Sequence, residues 1–560
     1  MRNLSHHSNM QSEQKDTLIP TQHASVPVCQ TPNDGQKTVP GFMGTLSPEP
    51  ATIAKLAASL PSDFVFGSGT SAYQIEGGRT AKSNDPALGT GETRDHIWER
   101  WCDEGKANIK DSKGNAIHVT GDVACDHYNN WEQDCDTIRF IGLDSYRFSI
   151  AWTRVIKSHE INDIDGSVSV TVDPEGMAFY RRLMERLVAH GIEPMPTLYH
   201  WDLPQVLQDA VGGWLSPVTA RAFSEYARAC FQHLGHLARR WTTLNEPYVV
   251  AHHGYGVAGS PPGIRGREHL AAHNLLLAHG LAAKVFKEFE KVWGEANGRP
   301  DECGAIGIVL NCAWREPADP SSESDCAAAA LCVQRRFGWF AEPLRSGHYP
   351  ECMRDLLASA GPDNSPLAFT DAESALLKGS ADFIGLNYYT TKFVKAAPGT
   401  RDGFAEVPPP ADKGLAVNAL GWSIVPSGLG KLLQLAADTF PRVDLWVTEN
   451  GYADSVETTG PGTDAAIADQ PRIDYMQAHL AQVAGAIAEG VPVRGWFVWS
   501  LLDNLEWNFG YVPRFGIVHV DFDSPDKTRT PKASALWYKD LIQAHKATHA
   551  AIVDHPTQSA

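Results

Sequence analysis

Eight short runs of apolar and β-branched residues recur along the chain, each closing on polar or aromatic residues and each followed by a stretch with helical character. They are Phe64 to Thr70, Ser145 to Trp152, Glu193 to Trp201, Arg240 to Glu246, Ala305 to Asn311, Asp382 to Tyr389, Asp444 to Gly451 and Val493 to Leu501. Helical spacing between them is clearest in Met177 to His190, where Phe179, Leu183 and Leu187 share a face. It returns in Val218 to Leu237, His273 to Trp293 and Asp474 to Glu489. Strands that alternate with helices must run parallel, because the helix carries the chain back to the start of the next strand. Eight such units predict an α/β fold, a single (β/α)8 TIM barrel with long βα loops. The long connections, roughly 75–144, 312–381 and 390–443, are rich in Gly and Pro, and in a barrel such length shapes the active-site end.

The flanks read differently. Residues 1–55 are rich in Ser, Thr, Gln, Asn, Pro and His, with little periodic apolar content, and are expected to form a disordered tail. The barrel is expected at 56–548 and a C-terminal tail at 549–560. Forty-eight Lys and Arg against 66 Asp and Glu leave a net charge of -18, which would repel a phosphate backbone or an anionic bilayer. Neither nucleic acid nor membrane is expected as a partner; a neutral or cationic small molecule fits better. Met1 to Pro20 is polar where a secretory signal would be apolar, so a cytoplasmic location is expected. The 10 cysteines lack the C-x-x-C pairs of a zinc or redox site and are expected to be reduced and packed. No metal is expected, since His6-His7 and His252-His253 are adjacent pairs without ligand spacing. No cofactor is expected either, because the Gly-rich stretch Gly67 to Gly78 matches neither a dinucleotide loop nor a P-loop.

Alternation in Tyr146-Arg147-Phe148-Ser149-Ile150 puts Arg147 and Ser149 on one face of a strand and the apolar residues on the other. A cation aimed into a barrel needs a buried anion. Gln74, His200, Glu246, Asn311, Asn387, Tyr389, Glu449 and Trp499 stand at or near the C-terminal ends of the other strands, where they make a pocket for a polar ligand. Two of them are glutamates, Glu246 in Thr-Leu-Asn-Glu-Pro and Glu449 in Val-Thr-Glu-Asn-Gly. Glycoside hydrolysis needs such a pair, one carboxyl to protonate the leaving oxygen and one to act at the anomeric carbon. Pro247 is expected to hold Glu246 in an extended backbone at the strand end.

These segments resemble family 1 of the glycoside hydrolases, with a match running from about Phe64 to Tyr538. The resemblance is also carried by Phe-Val-Phe-Gly-Ser-Gly-Thr-Ser-Ala-Tyr-Gln-Ile-Glu-Gly (64–77), Tyr-Arg-Phe-Ser-Ile-Ala-Trp-Thr-Arg (146–154) and His-Trp-Asp-Leu-Pro (200–204). Asn-Tyr-Tyr-Thr (387–390) and Trp-Ser-Leu-Leu-Asp-Asn-Leu-Glu-Trp (499–507) extend it. It implies that Glu246 is the general acid/base and Glu449 the nucleophile of a retaining β-glucosidase, with Asn245 beside the former and Arg147 and Tyr389 keeping the latter charged. It further implies sugar contacts from Gln74, His200, Asn245, Glu506 and Trp507, and an aromatic platform from Trp499. Trp201, Asn311 and Asn387 are added as further candidates, with Phe515 closing the pocket. Phospho-glycosidases of the family carry a Ser and Lys pattern where this chain has Glu506, which would repel a 6-phosphate. Plant thioglucosidases carry Gln in place of the acid/base glutamate. Both departures point to an unphosphorylated O-glycoside such as cellobiose or a cello-oligosaccharide. Leu505, where many members have Phe, is read as a change in packing. A transglycosidase using the same residues, or a silent sugar-binding barrel, are the alternatives; loss of Glu246, Glu449 or Arg147 would mark the latter, and all three are present.

Overall fold

The computed structural model describes residues 50–79, 95–107, 117–298, 304–359, 368–455 and 467–553. Of the expected tail over 1–55, residues 1–49 lie outside these residues. Eight parallel strands close into a barrel: β1 (Val65–Gly69), β2 (Ser145–Ser149), β3 (Glu193–Tyr199), β4 (Arg240–Asn245), β5 (Ala305–Asn311), β6 (Phe383–Asn387), β7 (Asp444–Asn450) and β8 (Val493–Trp499). Each pairs with its neighbours in sequence, and β8 returns to pair with β1. All eight coincide with the apolar runs, although most stop one to three residues short of the expected end. The clearest case is β2, which ends at Ser149; Trp152–Val155 is a helical turn instead, because the Trp152 backbone N–H is held by the Asp202 carboxylate (3.0 Å).

Why the barrel closes is visible at its N-terminal end. Met195, Phe383, Trp446 and Phe497 form a separate apolar layer inside it, flanked by Val65 and Ala305. Rings of this size fit only because the facing strands carry glycine: a Cβ on Gly67 would lie 2.3 Å from the Phe497 ring, and one on Gly307 would lie 2.6 Å from that of Phe383. The barrel is therefore a plugged cylinder, filled from below, with its cavity at the C-terminal mouth. The outer core forms where apolar strand faces meet the helices. Phe148 of β2 stacks on Tyr180 of the helix Pro174–Ala189, whose Asp173 cap accepts from the backbone N–H groups of Glu175 and Gly176.

Folded structure extends beyond both expected boundaries. A helix over Pro50–Ala58 starts before residue 56 and packs on the last helix, Ala533–Val553, which runs past 548. The long connections supply additional structure at the mouth, including a small sheet built from Trp314–Pro317, Thr391–Ala396 and Phe404–Val407. Among the described residues no helix is long and apolar enough to cross a membrane, and no cluster of His, Cys, Asp and Glu has metal-binding form.

Candidate active site

Both glutamates follow an irregularity in their strands. The pairing of β4 with β5 shifts register between Thr242 and Asn245, and that of β7 with β6 shifts between Val447 and Glu449. Such bulges re-aim the side chains that follow. Glu246 does not keep the extended backbone expected of it: its φ is 50° and ψ 60°, in the left-handed region. Pro247 bars the right-handed helical conformation. The strand must nevertheless turn at once into the short helix Pro247–Val249 while the Glu246 N–H still donates to Val309 O (3.0 Å). Trp201 (φ 78°) and Trp507 (φ 47°) are left-handed too. Three such non-glycine residues at one cavity locate backbone strain at the site.

One hydrogen-bond network joins the two carboxyl groups. Arg147 Nη1 donates to Glu449 Oε1 (2.6 Å), and Tyr389 Oη donates to Glu449 Oε2 (2.7 Å). Arg147 Nη2 donates to Asn245 Oδ1 (2.7 Å), which also accepts from Asn387 Nδ2 (3.1 Å). Asn387 Nδ2 then donates to Glu246 Oε1 (2.7 Å), and its Oδ1 accepts from Thr448 Oγ1 (2.8 Å). With Asn245 Oδ1 accepting twice, its Nδ2 must be the donor to His200 Nε2 (3.1 Å), so the imidazole proton sits on Nδ1. That Nδ1 is buried and finds no acceptor among the described residues. Burial, with Arg147 nearby, holds the imidazole well below its usual pKa and therefore neutral.

The two carboxyl groups are thus treated differently. Glu449 has a guanidinium and a phenol, one on each oxygen. Glu246 has a single neutral amide. Burial, then the charge of Glu449, pushes the Glu246 carboxyl up to about 8, against the lowering effects of the Asn387 hydrogen bond and of Arg147. Burial and the Glu449 carboxylate likewise keep Tyr389 a phenol, well above its usual pKa. A carboxyl held by a guanidinium and a phenol beside one whose proton is retained by burial is equipped for nucleophilic attack and proton donation in the same event.

The cavity above these groups has a volume of about 640 Å³. Glu246, Glu449, Asn245, Asn387, Tyr389, His200, Trp201, Asn311, Trp499, Glu506, Trp507 and Phe515 all line it, so the structure brings together nearly every residue picked from the sequence. His200 stacks against Trp499 and Trp507 with ring centroids 5.7 and 6.0 Å apart, and Trp201 lies 4.5 Å from Trp507. Phe515 packs in a cluster with Trp499, Tyr389 and Trp422. Glu506 is pushed up to about 8 by burial and by Glu449.

Gln74 departs from expectation. It is fully buried and does not line the cavity; its amide is occupied in holding the turn that carries Glu506. Nε2 donates to Leu505 O (2.8 Å) and Asn504 Oδ1 (3.1 Å), with Glu506 Oε2 at 3.5 Å, and Oε1 accepts from Ser71 Oγ (2.6 Å). Its own helix, Ala72–Ile75, is anchored by Glu76, which accepts from Arg154 Nε (3.0 Å) and Tyr180 Oη (2.6 Å). The sequence reading also missed cavity residues contributed by the long connections, among them Arg315, Arg336, Lys392 and Trp422. The one signal for them was the length of those connections.

Comparison with known proteins agrees with this geometry. The model of glycosyl hydrolase family 1 matches residues 56–547. β-Glucosidase 4 of Oryza sativa subsp. japonica is 37% identical over 506 residues, covering 88% of this chain and 96% of the relative. A solved structure of a β-glucosidase from Thermotoga maritima in complex with deoxynojirimycin superposes with a TM-score of 0.74 at 36% identity, covering 87% of this chain and 99% of that one. A rice β-glucosidase mutant, solved in a covalent complex with Glc, gives a TM-score of 0.74 at 32% identity over 86% of this chain and 98% of its own.

Proposed function

This chain belongs to glycosyl hydrolase family 1, and on that premise we propose that Glu449 is its nucleophile and Glu246 its general acid/base. The protein is a retaining β-glucosidase acting on terminal, non-reducing β-D-glucosyl residues. In the first step a Glu449 oxygen attacks the anomeric carbon, the bond from that carbon to the aglycone oxygen breaks, and Glu246 gives its proton to the departing oxygen. The glycosyl ester on Glu449 removes the negative charge that favours protonation of Glu246. Glu246 then takes a proton from water, the water oxygen bonds to the anomeric carbon, and the ester bond breaks. Asn245, His200, Glu506 and Trp507 would bind sugar hydroxyls, and Trp499 would face the ring, since C–H faces pack on indole.

The single observation that carries this assignment is the unequal environment of the two carboxyl groups: a guanidinium and a phenol on Glu449, one amide on Glu246. The unphosphorylated glucosyl unit is supported by Glu506, which lines the cavity where a 6-phosphate would meet a carboxyl group. Cellobiose, short cello-oligosaccharides and small aryl glucosides are the proposed substrates. A cytoplasmic enzyme is proposed, a reading supported by the cysteines, which among the described residues are thiols and mostly buried. Following cellobiose and an aryl β-glucoside by proton NMR from the first seconds tests the reaction. β-Glucose appearing before mutarotation is the expected result; α-glucose appearing first contradicts retention.

A further inference from the structure

The outer wall of the cavity carries an excess of positive charge in a chain whose net charge is -18. The small sheet at the mouth pairs Thr391–Ala396 in parallel with Trp314–Pro317, which sets Lys392 directly beside Arg315. Its antiparallel partner, Phe404–Val407, places Glu406 opposite Val394, on the face that Lys392 and Arg315 share. Arg336, from the neighbouring helical segment, completes the group. All four residues line the cavity.

The charges do not cancel. Glu406 Oε1 accepts from both Arg315 Nη2 and Arg336 Nη2, each at 3.0 Å, so one carboxylate serves two guanidinium groups. Its side chain is 42% exposed, so water weakens the neutralisation it provides. Lys392 has no ion-pair or hydrogen-bond partner among the described residues. Burial and Arg315 pull its ammonium below the usual lysine range, while Glu406 acts in the opposite sense. Arg315 is 6% exposed, and its Nε finds no acceptor among the described residues. Like charges set side by side on a sheet destabilise it. Here three cations and one carboxylate leave two positive charges facing a cavity whose floor is already filled by its own network.

We propose that Lys392, Arg315 and Arg336 form a subsite for a carboxylate on the aglycone, so that the preferred substrates are β-glucosides whose leaving group carries an acidic side chain. This rests on the glucosidase reading above and names the class of leaving group. The general preference for a neutral or cationic ligand drawn from net charge is reversed locally, because the field in a cleft is set by the groups that line it.

The test uses two glucosides of equal leaving ability: the phenolic β-glucoside of 3-(4-hydroxyphenyl)propanoate and that of its methyl ester. Two methylene groups separate the charge from the phenol. In the full-length enzyme at low salt, kcat/KM for the acid should exceed that for the ester by about tenfold, and the ratio should shrink as salt rises. Lys392→Met should bring the ratio towards one, and Lys392→Glu should invert it. Equal rates for acid and ester in the wild type, or a ratio that Lys392→Glu leaves in place, overturn the subsite while the glucosidase reading stands. If neither compound nor a simple aryl β-glucoside is cleaved, the glucosidase reading itself fails and the subsite falls with it.

Discussion

The floor of the cavity and its outer wall are built on opposite principles. On the floor the charges are compensated within one network: Arg147 serves Glu449 and Asn245, Asn387 serves Asn245 and Glu246, and Thr448 serves Asn387. On the wall Lys392 and Arg315 stand side by side with a single shared carboxylate between two arginines. A satisfied network resists movement and holds reacting groups in register, which is what chemistry requires. An excess of cations over carboxylates favours an anionic ligand instead. The difference separates a region that sets the reaction from a region that selects what leaves.

Substitutions should break the floor far more severely than the wall. Glu449→Ala removes the proposed nucleophile, and turnover of any β-glucoside should fall on the order of 10⁵-fold. Azide should restore it, with inverted α-glucosyl azide as product; product analysis by NMR decides this. Glu246→Ala should lose roughly 10²–10⁴-fold on cellobiose, whose leaving group needs a proton. It should lose much less on a dinitrophenyl glucoside, which departs unaided. Near-normal rates on cellobiose in both variants would dissolve the distinction between floor and wall.

A smaller effect sharpens it. Glu246 must be protonated to donate, and its carboxyl is raised to about 8. kcat/KM should therefore hold below that value and decline as pH rises through it. The Asn387 hydrogen bond favours the charged form of Glu246, so Asn387→Leu should move the basic limb to higher pH, besides slowing the reaction. Glu506 is also raised to about 8; Glu506→Gln should keep the limb, whereas Glu246→Ala assayed on an activated glucoside should lose it. A limb that follows Glu506 instead would reassign the acid.

The smallest kinetic effect belongs below the floor. Phe497→Ala hollows the apolar plug and should cost about 3–5 kcal/mol of stability, read by denaturant unfolding. The pH profile should stay in place, because Phe497 touches none of the reacting groups.

Much of the floor was legible in the sequence because its parts lie within strand-end motifs. Strand periodicity places Arg147 on the inward face, and Asn245-Glu246, Asn387 through Tyr389 and Glu449 stand at the ends of the barrel strands β4, β6 and β7. What periodicity cannot show is a left-handed turn: Glu246 reads as extended before Pro247 but takes φ 50° to aim its carboxyl. Nor can it show that Gln74 spends its amide on the 504–506 turn, since those residues meet only when β1 and β8 become neighbours. The wall was illegible for a related reason. Arg315, Lys392 and Glu406 belong to three separate segments of long connections, and their common face exists only once the small sheet has formed.

The division of labour between the two glutamates is tested most directly by trapping. The enzyme is incubated with 2,4-dinitrophenyl 2-deoxy-2-fluoro-β-glucoside, digested, and its peptides are sequenced by mass spectrometry. A fluoroglucosyl label on the peptide containing Val-Thr-Glu-Asn-Gly, borne by Glu449, is the predicted result; a label on Glu246, or turnover with no covalent intermediate, would contradict it.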